Sequence, residues 1–226
     1  MSAAEPLAVC RQTSRTYGRG QTATVALAPT DCEIHAGQRI ALTGPSGSGK
    51  STLLYLLAGL DEPTTGSVAW PAIGDRHELR PARLAMIFQG PSLLSPLTVT
   101  ENVALPLILG GQTDMIAHAR AREALAGLGL GELADKLPEE ISGGQSQRVA
   151  VARVLAGAPQ LILADEPTGQ LDAANGAAVI DVLIEASRQS GAALLVSTHD
   201  PTIADRLDAR WEIHNGELAA TTRQIA

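Results

Sequence analysis

Lysine occurs twice in this chain, and Lys50 closes the run Gly44-Pro45-Ser46-Gly47-Ser48-Gly49-Lys50-Ser51-Thr52. The spacing G-x-x-x-x-G-K-[ST] suits one chemistry, the cradling of phosphate. Its glycines let backbone N–H groups converge on phosphate oxygens with no Cβ in the way. A helix starting behind the loop adds the positive end of its dipole. The Lys50 ammonium can reach the outer phosphates of a nucleoside triphosphate, and the Ser51 hydroxyl can ligate Mg²⁺. A flexible Gly/Ser loop would explain the glycines but not the Lys-Ser pair that ends them.

A second constellation lies at Leu161-Ile162-Leu163-Ala164-Asp165-Glu166. The apolar run reads as a buried strand that delivers Asp165 to the carboxyl edge of a parallel sheet, where nucleotides bind. Asp165 can hold Mg²⁺, and Glu166 can act as general base on an attacking water. Alone this would be a strand meeting a charged turn. Paired with the loop upstream, it reads as a triphosphate-hydrolysing site.

The elements that must position these groups follow an α/β pattern. Arg39–Thr43 reads as a strand, the glycine loop follows, and Ser51 to Leu60 reads as a helix. Ser67–Trp70 and Leu84–Phe88 read as short strands, and Leu194–Thr198 as a buried one ending at His199. Residues 114–128 and 142–156 read as helices, the first with Asp114 as N-cap. Asp200-Pro201 caps and starts one more. Trp211–Leu218 reads as a hairpin around an Asn-Gly turn. Between residues 90 and 110, Leu93, Leu94, Leu97, Val99, Leu105 and Leu107 are interrupted by Pro91, Pro96 and Pro106. That spacing argues against one regular helix and for an apolar groove beside Gln89, although some of these leucines must fill a core.

Composition narrows the class. The 226 residues fit one domain, and 45% hydrophobic with 18% charged residues is a globular balance. No apolar run approaches the roughly 18 residues needed to span a bilayer. Met1–Glu5 lacks the basic start of a signal peptide, so a cytoplasmic protein is expected. A net charge of −7 argues against nucleic acid as a partner. Cys10 and Cys32 lack CxxC spacing and read as free thiols. His35, His77, His118 and His214 show no ligand-like spacing.

The family is indicated by Ile141-Ser142-Gly143-Gly144-Gln145, followed by Gln147-Arg148-Val149-Ala150-Val151-Ala152-Arg153. Taken alone, Ser-Gly-Gly is only a helix cap. Placed shortly before Asp165, it resembles the LSGGQ signature of ATP-binding cassette (ABC) ATPases, with Ile in place of Leu. The other elements follow in order: Gln89 resembles the Q-loop residue, Asp172 the D-loop residue and His199 the switch histidine. Tyr17 stands where that family places an aromatic against adenine. The stretches Thr100–Leu107 and Ala164–Gly169 are most similar to the lipoprotein-release, macrolide-efflux and cell-division group. Gln170 and Ser146 depart from that group's pattern, and residues 66–89 look shortened.

The resemblance implies a P-loop core with a mostly parallel sheet, an N-terminal antiparallel β subdomain and an inserted helical subdomain near residues 91–158. The chain is expected to form one such domain over residues 1–226. The resemblance further implies an ATPase using ATP and Mg²⁺, with Ser51, Gln89 and Asp165 on the metal and Glu166, His199 and Gln89 catalytic. Residues Gly44 to Thr52 and Tyr17 would hold ATP from one chain. Ser142, Gly143, Gly144, Gln145 and Asp172 would do so from a second copy in a head-to-tail homodimer. An integral-membrane permease is the implied partner, with the chain peripheral on the inner membrane face. The rival is a soluble ABC-type ATPase without a permease. With 27 residues after His199, no regulatory C-terminal domain is expected.

Overall fold

The computed structural model describes residues 4–90, 92–169 and 171–221. Pro91, Gln170 and the first three residues, named above, lie outside the described residues. Two sheets form. The smaller is antiparallel, in the order β2-β1-β4, from β1 (Ala8–Tyr17), β2 (Thr24–Ile34) and β4 (Thr65–Ala69). The larger has the order β5-β6-β7-β3-β8-β9, from β3 (Arg39–Thr43), β5 (Leu84–Ile87), β6 (Leu161–Asp165), β7 (Ala193–Ser197), β8 (Ala209–His214) and β9 (Glu217–Thr221). Its first five strands pair in parallel, and β9 returns antiparallel to β8.

The parallel strands sit where their composition requires. Every residue of β6 and β7 is buried, which only continuous apolar strands covered on both faces can satisfy. Each fully buried Leu in them contributes about 2 kcal/mol. The β8–β9 turn is the expected Asn-Gly pair, with both residues in the left-handed region (φ 50° at Asn215, 82° at Gly216).

The helices are α1 (Lys50–Leu57), α2 (Val99–Leu109), α3 (Asp114–Gly127), α4 (Gly143–Gly157), α5 (Ala173–Ser190) and α6 (Pro201–Ala204). Helix α1 turns Leu53, Leu54, Leu56 and Leu57 into the core shared by the two sheets. Helices α2, α3 and α4 pack on one another around a separate apolar cluster that includes Val99, Val103, Leu107, Leu125 and Val149.

One expectation needs correction and another needs a boundary. Asp114 is not an N-cap: Thr113 holds the extended cap conformation, and Asp114 is the first helical residue, where a carboxylate suits the dipole. As expected, the segment of residues 90–110 is not one regular helix, since residues 92–98 are non-helical; Pro106 nevertheless lies inside a regular helix, α2, that begins at Val99. A proline forfeits one helical N–H, and here the rest of the helix offsets that loss. Thr98 and Glu101 form a reciprocal capping box, and Val99, Val103, Ala104 and Leu107 are buried. Residues 66–89 contain only β4, a short 3₁₀ turn at Arg76–Glu78 and β5.

Candidate functional site

The glycine loop runs from the end of β3 to the start of α1 and is wedged between two strands. Gly49 sits at φ 110°, and a Cβ there would lie 2.3 Å from the Ala26 carbonyl oxygen of β2. Gly44 sits at φ 148°, and its Cβ would lie 2.2 Å from the Ile213 carbonyl oxygen of β8. Only glycine fits either position, so these residues fix the loop's path rather than merely loosening it. Lys50 opens α1, is 5% exposed, and folds its ammonium back over the loop. Its Nζ donates to the carbonyl oxygens of Gly44 at 2.8 Å and Pro45 at 3.0 Å.

Strand β6 ends on Asp165, which is 2% exposed and accepts a hydrogen bond from Ser197 Oγ at 2.7 Å. Glu166 then turns sharply out of the sheet at φ 44°, a conformation costing a non-glycine residue about 1–3 kcal/mol. Ser197 holds that turn too, because Glu166 N–H donates to Ser197 Oγ at 2.9 Å. The turn aims the Glu166 carboxylate at three groups. Lys50 Nζ lies 3.9 Å away, His199 Nδ1 3.6 Å, and Gln89 Nε2 donates at 3.4 Å. Four residues far apart in sequence thus converge at the carboxyl edge of one sheet.

The cavity they border has a volume of about 550 Å³ and is lined by Ser46, Gly47, Gly49, Lys50, Ser51 and Thr52, with Gln89, Glu166 and His199 opposite. Its donors suit a polyanion: a cationic amine, three hydroxyls and a helix N-terminus. Ser51, Gln89 and Asp165 offer oxygen ligands but one carboxylate between them. Among the described residues no cluster of three or more His, Cys, Asp or Glu forms a metal cage.

Tyr17 does not line this cavity. It lies at the end of β1, with Thr24 as its strand partner and Ala26, farther along β2, on the cavity wall. Its hydroxyl donates to Asp61 Oδ2 at 2.8 Å, and the Arg15 guanidinium stacks 4.7 Å from its ring centroid. Burial works against the Asp61 charge, but the bonds from Tyr17 and from the Glu62 N–H, with Arg15 at 2.7 Å, hold its carboxyl below the usual range. The ring is therefore fixed in place while the residue stays 40% exposed.

The signature residues lie elsewhere. Ser142 caps α4, and Gln145 reciprocates: Gln145 N–H donates to Ser142 Oγ at 3.2 Å, and Ser142 N–H to Gln145 Oε1 at 2.8 Å. Gly143 is the first residue of the helix. Asp172 caps α5 by accepting from Asn175 N–H at 2.9 Å. Ser142, Gly144, Gln145 and Asp172, joined by Arg148 and Asn175, line a distinct cavity of about 360 Å³ that shares no residue with the Lys50 cavity.

Against known proteins, the ABC transporter family model matches residues 27–169. The chain belongs to the ABC transporter family. This ABC chain is 41% identical over 213 residues to the lipoprotein-releasing system ATP-binding protein LolD of Shewanella oneidensis, covering 91% of this chain and 92% of that protein. A dimeric structure of the ATP-binding cassette MJ0796 in a post-hydrolysis state, bound to ADP and Pi, superposes with a TM-score of 0.87. Sequence identity there is 34%, over 95% of this chain and 98% of that one. The cassette cbiO1 of Clostridium perfringens, part of the transporter complex cbiONQ, gives 0.78 at 25% identity over 96% of this chain and 88% of that one. The expected P-loop ABC fold and ATPase class therefore hold for this chain.

Ser197 is the site residue that motif reading missed. It was visible only as part of an apolar strand, yet its hydroxyl fixes both acidic residues of the site. The signal was its place two residues before His199, one strand over from Asp165.

Proposed function

We propose that this ABC ATPase works as a head-to-tail pair with two ATP molecules at the interface, and drives a membrane permease. The observation carrying this reading is the separation of the two cavities. Each chain holds one phosphate loop and one capped, glycine-led helix end, and the two do not meet within it. A second copy reversed against the first supplies the missing half.

In this reading the loop N–H groups of Gly44 to Gly49 and Lys50 hold the β- and γ-phosphates, with Pro45, Ser46, Ser48 and Thr52 shaping the cradle. Tyr17 stacks on adenine at the rim. Ser51, Gln89 and Asp165 would hold Mg²⁺, which supplies charge neutralisation on the phosphates. One carboxylate with neutral oxygen donors fits an ion that keeps waters and shares substrate phosphates. Water attacks the γ-phosphorus, and Glu166 accepts its proton while the bond to the bridging oxygen breaks toward ADP. His199 and Gln89 hold the Glu166 carboxylate in line. Ser142, the N–H groups of Gly143 and Gly144, and Gln145 bind the γ-phosphate from across the interface, with Asp172 beside them. Losing that anion weakens the pair, so ATP favours the closed state and ADP does not.

The permease reading rests on a groove of about 420 Å³ between α2, α4 and β5, lined by Leu84, Met86, Phe88, Leu105, Pro106 and Leu109. Val99 and Leu107 fill the α2–α4 cluster instead. Leu109 is 70% exposed, more than an isolated subunit's packing requires. No helix among the described residues is long and apolar enough to cross a membrane. We place the chain at the cytoplasmic face, held there by its permease. The likeness to a lipoprotein-releasing ATP-binding protein supports a transporter over a permease-free ATPase.

Two variants test the two halves. Ser142→Arg places bulk where the partner's γ-phosphate must sit and touches nothing in its own loop. ATP binding to the single chain stays within about twofold, while turnover falls about a hundredfold. Equal loss of binding and turnover would place Ser142 in its own chain's site. Leu109→Glu puts a charge in the groove without disturbing the core. Co-purification of a permease from native membranes drops about tenfold or more, and turnover of the isolated chain is unchanged. Unchanged co-purification would remove the groove from the account.

A further inference from the structure

Gln147 and Arg153 have no role in the site described so far, yet both reach from α4 to the segment that carries Gln89. Gln147 is fully buried, and its Nε2 donates to the Phe88 carbonyl oxygen at 3.2 Å, immediately before Gln89. Arg153 Nη1 donates to the Ser92 carbonyl oxygen at 2.8 Å, and its Nη2 to Ser92 Oγ at 2.5 Å. The two attachments bracket Gln89. On α4 they stand six residues apart, about 9 Å along the axis, so the segment is lashed along the helix rather than pinned at a point.

We propose that Gln147 and Arg153 are positioning residues that make the Gln89 segment and α4 move as one body. Through them, a partner docked in the groove sets the attitude of the Ser142 end of α4. This rests on the permease reading of the groove. Three observations point the same way. Arg153 and Ser92 line the groove, so a docked segment lies directly on one attachment. The Arg153 guanidinium is drawn partly into the protein, where burial lowers its pKa, and both of its bonds there go to Ser92. Gln147 Oε1 is buried with no hydrogen-bond partner among the described residues. A side chain serving packing alone would be apolar there. The amide N–H makes the bond to Phe88, and its oxygen is available to a donor when the segment shifts. An α-helix transmits a push along its length with little bending, so a displacement at Ser92 or Phe88 reaches Ser142 and Gly143.

The test uses the chain with its co-purified permease. Gln147→Leu keeps the volume and removes the bond, Arg153→Lys keeps the charge and one donor, and Ser92→Ala removes one acceptor with little risk to folding. Expected for Gln147→Leu is loss of most permease-dependent stimulation, with permease yield and the KM for ATP within about twofold of wild type. Arg153→Lys and Ser92→Ala keep part of the stimulation. Combining Gln147→Leu with Ser92→Ala adds less than the sum, since both release one segment. Full stimulation in Gln147→Leu at equal permease yield overturns the proposal. If the wild type binds no permease, the docking reading fails instead, and the linkage is decided by amide exchange on the isolated chain. ATP then slows exchange at residues 89, 90 and 92 and at 148–153, beyond the amides that meet the phosphate, in the wild type, and only at 89, 90 and 92 in Gln147→Leu. A variant whose α4 amides still respond to ATP as in the wild type overturns the linkage.

Discussion

Lys50→Ala lowers ATP turnover by about 10²–10³-fold and leaves the fold intact. The Lys50 ammonium is the one cationic amine on the cavity wall, and it is already held over the loop by two carbonyl oxygens. In the proposed site it moves little to meet the phosphates, so its charge acts without reorganisation at the moment of reaction. Its removal costs no core packing, because α1 is anchored by Leu53, Leu54, Leu56 and Leu57. A phosphate-release assay, with circular dichroism to confirm folding, reads the result. Turnover near the wild-type rate in a folded variant would remove the glycine loop from the site.

Glu166→Gln separates binding from chemistry. The amide fits the same strained turn and keeps its contacts to Gln89 and His199, but it cannot take a proton from water. Turnover falls about 10²–10⁴-fold. Binding strengthens, because a negative charge 3.9 Å from Lys50 no longer competes with the phosphates. With hydrolysis stopped, the γ-phosphate bridge persists, and light scattering on a sizing column shows a dimer with ATP and Mg²⁺ and a monomer with ADP. A monomer under both conditions would mean that closure needs the permease or that no composite site exists.

Much of this site was legible because its chemistry is local in sequence. A phosphate cradle is built from consecutive backbone amides, so the glycine-Lys-Ser run carried its own geometry. The strand ending at Asp165-Glu166 and the Ser142 cap of α4 were legible for the same reason. What stayed hidden depends on partners distant along the chain. Ser197 becomes a site residue only because β7 lies beside β6. The bonds of Gln147 and Arg153 to Phe88 and Ser92 span 59 and 61 residues. Tyr17 could be singled out by its position, but not its fixing by Arg15 and Asp61. The prolines did show that residues 90–110 are not one helix, but not where α2 begins, because helix-breaking is a local rule. A capped helix with a buried apolar face carries one proline, and that face is set by α3 and α4.

The two-chain character of the site is tested most directly by mixing two inactive variants. A Lys50→Ala chain has a broken phosphate loop and an intact Ser142 end; a Ser142→Arg chain has the reverse. Each alone is inactive in the proposed account. In an equimolar mixture, half the pairs are mixed and each holds one intact site of two. Turnover is therefore restored to about a quarter of the wild-type rate, with the permease present if the wild type requires it. A mixture as inactive as its components, under conditions where the wild-type chain turns over, would contradict the head-to-tail site.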